Sequence, residues 1–120
     1  MDSDKNRVVL GDHVCQAYHQ AVEIIGRRWS GAILYVLCSR PKRFSELREA
    51  VPDISDRLLT ERLKELEDEG IVLREVSTGR PLQVIYSLTP KGQALKPIIE
   101  EIQRWASEWH APQAHHHAAD

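Results

Sequence analysis

Little in this chain suits an enzyme, a secreted scaffold or a membrane protein. Only two of its 120 residues are cysteines, Cys15 and Cys38. They are too few and too far apart in sequence for a disulfide framework, so the expected compartment is the reducing cytoplasm. The longest apolar run, Ala32 to Cys38, is far too short to span a bilayer. No signal peptide is visible, and no membrane partner is expected. A glycine-rich phosphate loop, HExxH, CxxC and GxSxG are all missing. Cys15 and His19 stand four apart, a spacing at which a thiol and an imidazole can meet on a helix. A hydrolase would also need an oxyanion site and a cleft, and nothing in so short a chain supplies them. The chain is read as a non-enzyme with no cofactor. A basic excess is lacking too: 16 Lys and Arg stand against 18 Asp and Glu, a net charge of -2. That is not the usual profile of a nucleic-acid binder.

Distribution of charge says more than the sum. Arg27, Arg28, Arg40, Lys42, Arg43 and Arg48 cluster in one stretch, where Glu46 is the only acid. Acids collect at Glu65, Glu67, Asp68 and Glu69, and again at Glu100, Glu101 and Glu108. One side of the fold can therefore be basic while the chain is near neutral. The plainer alternative is that these arginines only solubilise a loop.

Residues 55 to 88 are the most informative. The run SDRLLTERLKELEDEG opens on Ser55, a good N-cap, and closes on Gly70, suited to the left-handed position past a helix end. Leu59, Leu63 and Leu66 recur at helical spacing and mark a buried face. The opposite face carries Arg57, Thr60, Glu61 and Lys64. An apolar strand follows, then a tight STGRP turn, then VIYSL. Val84, Tyr86 and Leu88 lie on one side of that second strand, with Gln83, Ile85 and Ser87 on the other. Gly79 eases the turn, and Arg80 sits at its tip. A helix that can enter a major groove, followed by a basic-tipped hairpin, is the layout of a winged helix-turn-helix, which points to double-stranded DNA.

The rest of the chain completes that layout. The spacing predicts helices over 12–26, 30–38, 45–51, 55–69 and 90–109, and strands over 72–76 and 83–88. The segment from Trp29 to Leu37 is apolar on most sides and reads as core. Ser45 is the expected cap of the first helix of the helix-turn-helix, and Pro52 ends that helix. Thr89 and Pro90 open the last helix, and Pro97 is expected to bend it. The fold class is α+β, mostly α, in one domain over 12–110. Residues 1–11 are expected to be loose and 111–120 a disordered tail. His115, His116 and His117 in that tail are not read as a metal site.

The order IGRRW, then PKRFSELREAVPDISDRLLTERLKELEDEGIV, then VIYSLTPKG resembles the HxlR family, winged-helix relatives of the MarR regulators. The resemblance runs from about Cys15 to Trp109. It implies a bacterial, dimeric, DNA-binding transcriptional regulator, often a repressor. Members usually carry a cysteine shortly before the first helix, and Cys15 holds that place. In the family such a cysteine can sense oxidants or electrophiles. Two departures stand out. The second wing strand often begins with arginine, where this chain has Gln83 and carries its arginine at Arg80. The spacing from Cys15 to Trp29 is also longer than in many members.

These readings assign roles. Ser55, Arg57, Thr60, Glu61 and Lys64 are the expected base readers. Arg40, Lys42, Arg43, Ser45, Arg80 and Gln83 are the expected backbone and wing contacts. Tyr18, Val22, Ile25, Ile98, Ile102, Trp105 and Trp109 form apolar stripes on the terminal helices, too broad for a small core to cover. They are the expected homodimer interface. Cys15, with His19 one turn away and Asp12 as helix cap, is the candidate redox sensor, while Cys38 should be inert. A small-molecule effector at the dimer seam is a further partner class. The rival reading is a winged helix that binds protein rather than DNA.

Overall fold

The computed structural model describes residues 9–110. The expectations for residues 1–8 and for the tail with His115, His116 and His117 lie outside the described residues. Residues 9–11 are exposed and have no regular structure. The chain forms α1 (Gln16–Ile25), α2 (Ser30–Leu37), β1 (Lys42–Arg43), α3 (Phe44–Ala50), α4 (Asp56–Asp68), β2 (Val72–Val76), β3 (Val84–Leu88), α5 (Pro90–Gln93) and α6 (Lys96–Trp109). This is the mostly helical fold with a small antiparallel sheet that the sequence predicts.

The core is built around α4. Leu59, Leu63 and Leu66 are almost completely buried, among Ile33, Leu34 and Leu37 of α2 and Leu47 of α3. Ser55 caps α4, its hydroxyl accepting from the Leu58 N–H at 3.1 Å. Gly70 ends it with φ +76°, a conformation glycine adopts without a Cβ penalty. The turn between α3 and α4 places Asp53 at φ 73°, a region that Asp tolerates better than most residues.

Behind α4 lies a three-stranded sheet of order β1-β3-β2. The hairpin pairs Val72 with Leu88 through to Val76 with Val84. Strand β1 is an addition to the two-stranded hairpin read from the sequence. It pairs Lys42 with Tyr86 and Arg43 with Ile85, which ties the entry to α3 onto the wing. The wing turn is also wider than STGRP suggests. It closes where Ser77 N–H donates to the Gln83 carbonyl at 2.7 Å, while Gln83 N–H donates to the Ser77 hydroxyl at 3.0 Å. Gly79 is not at positive φ, so its conformational freedom is not what makes this turn.

The motif YSLTPKG has a local physical reason. Thr89 caps α5, its hydroxyl accepting from Gly92 N–H at 3.1 Å and donating to the Gly70 carbonyl. Lys91 Nζ donates to the Glu69 carbonyl at 2.7 Å. The segment thus closes over carbonyls at the C-terminal end of α4 that have no helical partner. Gly92 is required because a Cβ there would run into the Ile71 carbonyl oxygen.

The first and last helices differ from expectation. The last helix is broken rather than bent. Pro97 has no N–H and its ring would clash with the carbonyl four residues back, which is that of Gln93, where α5 ends. The chain turns at Ala94 and Leu95 and α6 begins with Pro97 in its first turn. The first helix starts later than 12. Asp12 lies in a bend and the N-cap position is Cys15, with no side-chain capping bond.

The buried charge on α4 was not anticipated. Arg62 lies on the buried side of α4 and is 8% exposed. Its Nε donates to the Arg28 carbonyl at 2.9 Å and its guanidinium pairs with Glu65 at 3.4 Å. Glu65 also pairs with Arg27 at 3.3 Å. These bonds hold the α1–α2 turn, where Trp29 takes the left-handed conformation at φ 78°, a costly one for a bulky residue. The Arg28 guanidinium lies 5.0 Å from the Trp29 ring centre. Arg62→Ala leaves the Arg28 carbonyl without its partner and opens a void beside Leu63. The expected loss is about 2–3 kcal/mol, read as a lower midpoint in urea unfolding with an unchanged slope.

Candidate nucleic-acid interface

The face of α4 opposite its leucines is solvent-exposed and carries Arg57, Thr60, Glu61 and Lys64, with Ser55 at its N-terminal end. Helical geometry brings these residues together because the leucine stripe fixes the rotation of the helix. Each is held locally. Arg57 Nε donates to Glu61 at 3.2 Å, and the Thr60 hydroxyl donates to the Asp56 carbonyl at 2.8 Å. Lys64 pairs with Asp68 at 3.2 Å. The Arg57 side chain is 89% exposed, so it is free to exchange its partner for a base edge or phosphate. Arg48 of α3 pairs with Asp56 at 3.1 Å and links the two helices of the helix-turn-helix.

Beside this face lies the edge formed by β1 and the start of α3. Arg40 and Arg43 are about half exposed, and both meet Glu46. Glu46 is the third residue of α3, and its carboxylate accepts from the backbone N–H of Arg43 at 2.8 Å and from the Arg40 guanidinium at 3.1 Å. The Arg43 N–H first and the Arg40 hydrogen bond second hold the Glu46 carboxyl down at about 2. Arg43, not Ser45, is therefore the N-cap residue of α3. Ser45 is exposed in the first turn and caps nothing, because Glu46 already closes the helix start.

Lys42 is the clear correction. It was expected at the DNA backbone, but it is 8% exposed. Its ammonium donates to the Val36 carbonyl at 3.1 Å, the Ser39 hydroxyl at 2.6 Å and the Arg40 carbonyl at 3.3 Å. It therefore satisfies acceptors at the C-terminal end of α2. Burial, then Arg40, pushes its pKa down. On the wing, Arg80 and Gln83 are exposed on the loop, and so is Arg74 on β2.

The terminal helices carry the second feature. Neither α1 nor α6 contains a fully buried residue. Tyr18 and Val22 of α1 are exposed, as are Ile98, Ile102, Trp105 and Trp109 of α6. Ile25, grouped with them in the sequence, packs partly against the core, as do Leu95 and Ile99. Tyr35 of α2, read as core, is 53% exposed. Cys15 is exposed and lies in a surface hollow with Leu10, Val14, Tyr18, His19 and Val22. The bond recorded between Cys15 and His19 is from the His19 backbone N–H to the Cys15 carbonyl, at 2.9 Å. Cys38 is half-buried, and burial pushes its thiol pKa up. Among the described residues no helix is long and apolar enough to cross a membrane, and no His, Cys, Asp and Glu side chains gather as a metal-binding group.

Comparison with known proteins agrees with this geometry. Residues 24–114 match the model of the HxlR-like helix-turn-helix family. The chain belongs to that family. It is 48% identical over 99 residues to the HTH-type transcriptional regulator YvaP of Bacillus subtilis (strain 168), covering 82% of this chain and 92% of that one. It is 45% identical over 103 residues to YodB, a transcriptional regulator from the same organism, covering 86% of this chain and 92% of YodB. The reduced form of YodB superposes with a TM-score of 0.73 at 46% identity, over 80% of this chain and 94% of that one. YodB is also known in diamide-treated and quinone-bound structures. The redox regulator HypR in its reduced form gives a TM-score of 0.73 at 39% identity, over 78% of this chain and 92% of that one. HypR has also been solved oxidised. YvaP and YodB are helix-turn-helix transcriptional regulators, and the HxlR-like winged helix-turn-helix is the fold seen here.

Lys42 supplies a test of the corrected assignment. Lys42→Met removes a charge that sits among carbonyls, not at the surface. Stability should fall by about 1–2 kcal/mol, while the salt dependence of DNA binding stays that of the wild type. A phosphate contact would instead lower the slope of log K against log[salt] by about 0.9.

Proposed function

We propose that the protein is a homodimeric, cytoplasmic repressor that binds a two-fold symmetric site on double-stranded DNA, with oxidants or electrophiles acting through Cys15. The observation that carries this reading is the division of α4, whose leucine face is buried and whose Arg57, Thr60, Glu61 and Lys64 face is left to solvent. Arg57, near the N-terminal end of the helix, is placed as such helices place their base readers. Arg40, Arg43 and Arg80 supply backbone contacts, and the wing loop brings Arg80 toward an adjacent groove. Dimerisation is supported by the apolar residues that α1 and α6 leave exposed, since contiguous patches of this kind usually mark interfaces. Two copies would set two reading helices about 34–36 Å apart, one turn of DNA.

The test is to recover bound fragments from random duplex DNA. A two-fold symmetric motif is expected. Failure to retain any duplex at low salt would favour the protein-binding alternative. Trp105→Glu places a carboxylate on the exposed face of α6. It should sediment as a monomer at micromolar concentration and lose about 10²–10⁴-fold in operator affinity, because the second half-site no longer adds to the first. A wild type that is itself monomeric under those conditions would remove the dimer.

The switch at Cys15 is supported by exposure of the thiol at the start of a helix that has no fully buried residue, and by relatives studied in reduced, oxidised, diamide-treated and quinone-bound forms. Modification there would alter the packing of α1 and so the separation of the reading helices. Mild diamide or quinone treatment is expected to release operator DNA from the wild type and to leave Cys15→Ser bound. Equal release from both proteins would clear Cys15 of the role.

A further inference from the structure

We propose that Glu46 is a specificity-determining residue of the DNA interface, because its anchored carboxylate occupies both Arg40 and Arg43 and so suppresses binding to phosphate at large. This rests on the DNA-binding reading above and deepens it.

Several cations on this side of the protein have a carboxylate partner, but most of these pairs are loose. Arg57 with Glu61 and Lys64 with Asp68 are single contacts between exposed side chains, and Arg48 reaches both oxygens of Asp56, at 3.3 and 3.1 Å, but on two side chains that are about half exposed or more. Such pairs exchange freely with solvent. Glu46 differs in three respects. One carboxylate oxygen is fixed by the Arg43 backbone N–H at 2.8 Å. The other receives the Arg40 guanidinium at 3.1 Å, and the Arg43 Nε lies 3.7 Å from the carboxylate. Its side chain is 25% exposed, against 47% to 62% for Glu61, Asp56 and Asp68, so it is held more closely than they are. The Arg40 guanidinium is restrained again by its second bond, to the Pro41 carbonyl at 2.9 Å. The low carboxyl pKa keeps Glu46 ionised at neutral pH.

Two consequences follow for a polyanion. Non-specific affinity comes almost wholly from phosphate neutralisation and counterion release. A fixed negative charge between two arginines removes much of what this edge would contribute. At a cognate site the contacts of α4 set the register, and the arginines need only meet phosphates that lie where they already point. There the same carboxylate helps, because side chains held in place lose less entropy on binding. Glu46 therefore weakens random binding more than cognate binding, and the ratio of the two rises.

Glu46→Gln isolates the charge. The amide oxygen can still accept from the Arg43 N–H, so α3 keeps its start. Binding is measured against the selected operator and a scrambled duplex of equal length, from 50 to about 200 mM salt. For the scrambled duplex, affinity should rise about three- to tenfold, with the salt slope steeper by about 0.9. Operator affinity should rise less, so the ratio falls. Glu46→Asp, which keeps the charge, should restore the wild-type slope. In the Glu46→Gln background, Arg40→Gln should cost more non-specific affinity than it does in the wild type. Unchanged slope and ratio, or weaker binding to both duplexes, would overturn the proposal, and circular dichroism excludes loss of the fold as the cause. A wild type that binds no duplex at all would instead refute the DNA-binding reading.

Discussion

Burial of Leu59, Leu63 and Leu66 is the constraint on which the rest of the structure depends. Each side chain is worth about 2–3 kcal/mol when taken from water, and together they allow α4 only one rotation about its axis. Turning the helix by one residue would carry charged side chains into the contact with α2 and α3. The outward face is thus a consequence of the inward one. Arg57, Thr60, Glu61 and Lys64 share a surface because they are the residues left over when the core is satisfied. Arg62 is the exception that confirms the fit. It stands at the margin of the leucine stripe, and its head group reaches across to the Arg28 carbonyl, so that the reading helix and the α1–α2 turn are joined by a buried charge as well as by packing.

The outer helices show the opposite balance. On α6 the apolar arc is wider than one core can use. Leu95 and Ile99 turn inward, while Ile98, Ile102, Trp105 and Trp109 remain in water. On α1 the split falls between Ile25, which reaches the core, and Tyr18 and Val22, which do not. Tyr35 of α2 adds to the uncovered surface. A second copy of the chain is the simplest cover for these residues. Cys15 then matters for where it stands, at the N-cap of an element whose position is set mainly by what covers it. A small chemical change at such a place meets less resistance than one in the core.

Most of the fold was legible because its long periodic elements leave patterns in sequence. The caps Ser55 and Thr89, the stop at Gly70 and the leucine spacing of α4 all act locally. What escaped was set by short elements or by partners distant in sequence. Strand β1 is two residues long, too short to show alternation, yet alternation is what turns Lys42 inward and Arg43 outward. In the string SRPKRFSE the two look alike. Ser45 looked like a cap because serine usually is one, but the helix begins a residue earlier and Glu46 does the capping from inside. Pro97 was seen as a perturbation of one helix, whereas it sits at the beginning of another. Arg62 had a visible signal. It lies three residues after Leu59 and four before Leu66, at the margin of the apolar arc, where a buried arginine must find a partner. The spacing of Cys15 and His19 let their side chains meet, and the bond that joins the two residues is backbone.

The charge balance finds its explanation at the same level. A net charge of -2 argues against nucleic acid only if charges act as a sum. Here they act in pairs. Near α4, Arg48, Arg57 and Lys64 are paired with Asp56, Glu61 and Asp68, and Arg40 and Arg43 share Glu46, so much of the basic charge on the surface proposed to meet DNA is offset where it stands. Such a surface gains little from random phosphate and depends on fit. That property suits a protein that must find one site among many, because weak general attraction shortens the time lost elsewhere. On the DNA-binding reading proposed above, the acids beside the arginines belong to the interface, and their number is no evidence against it.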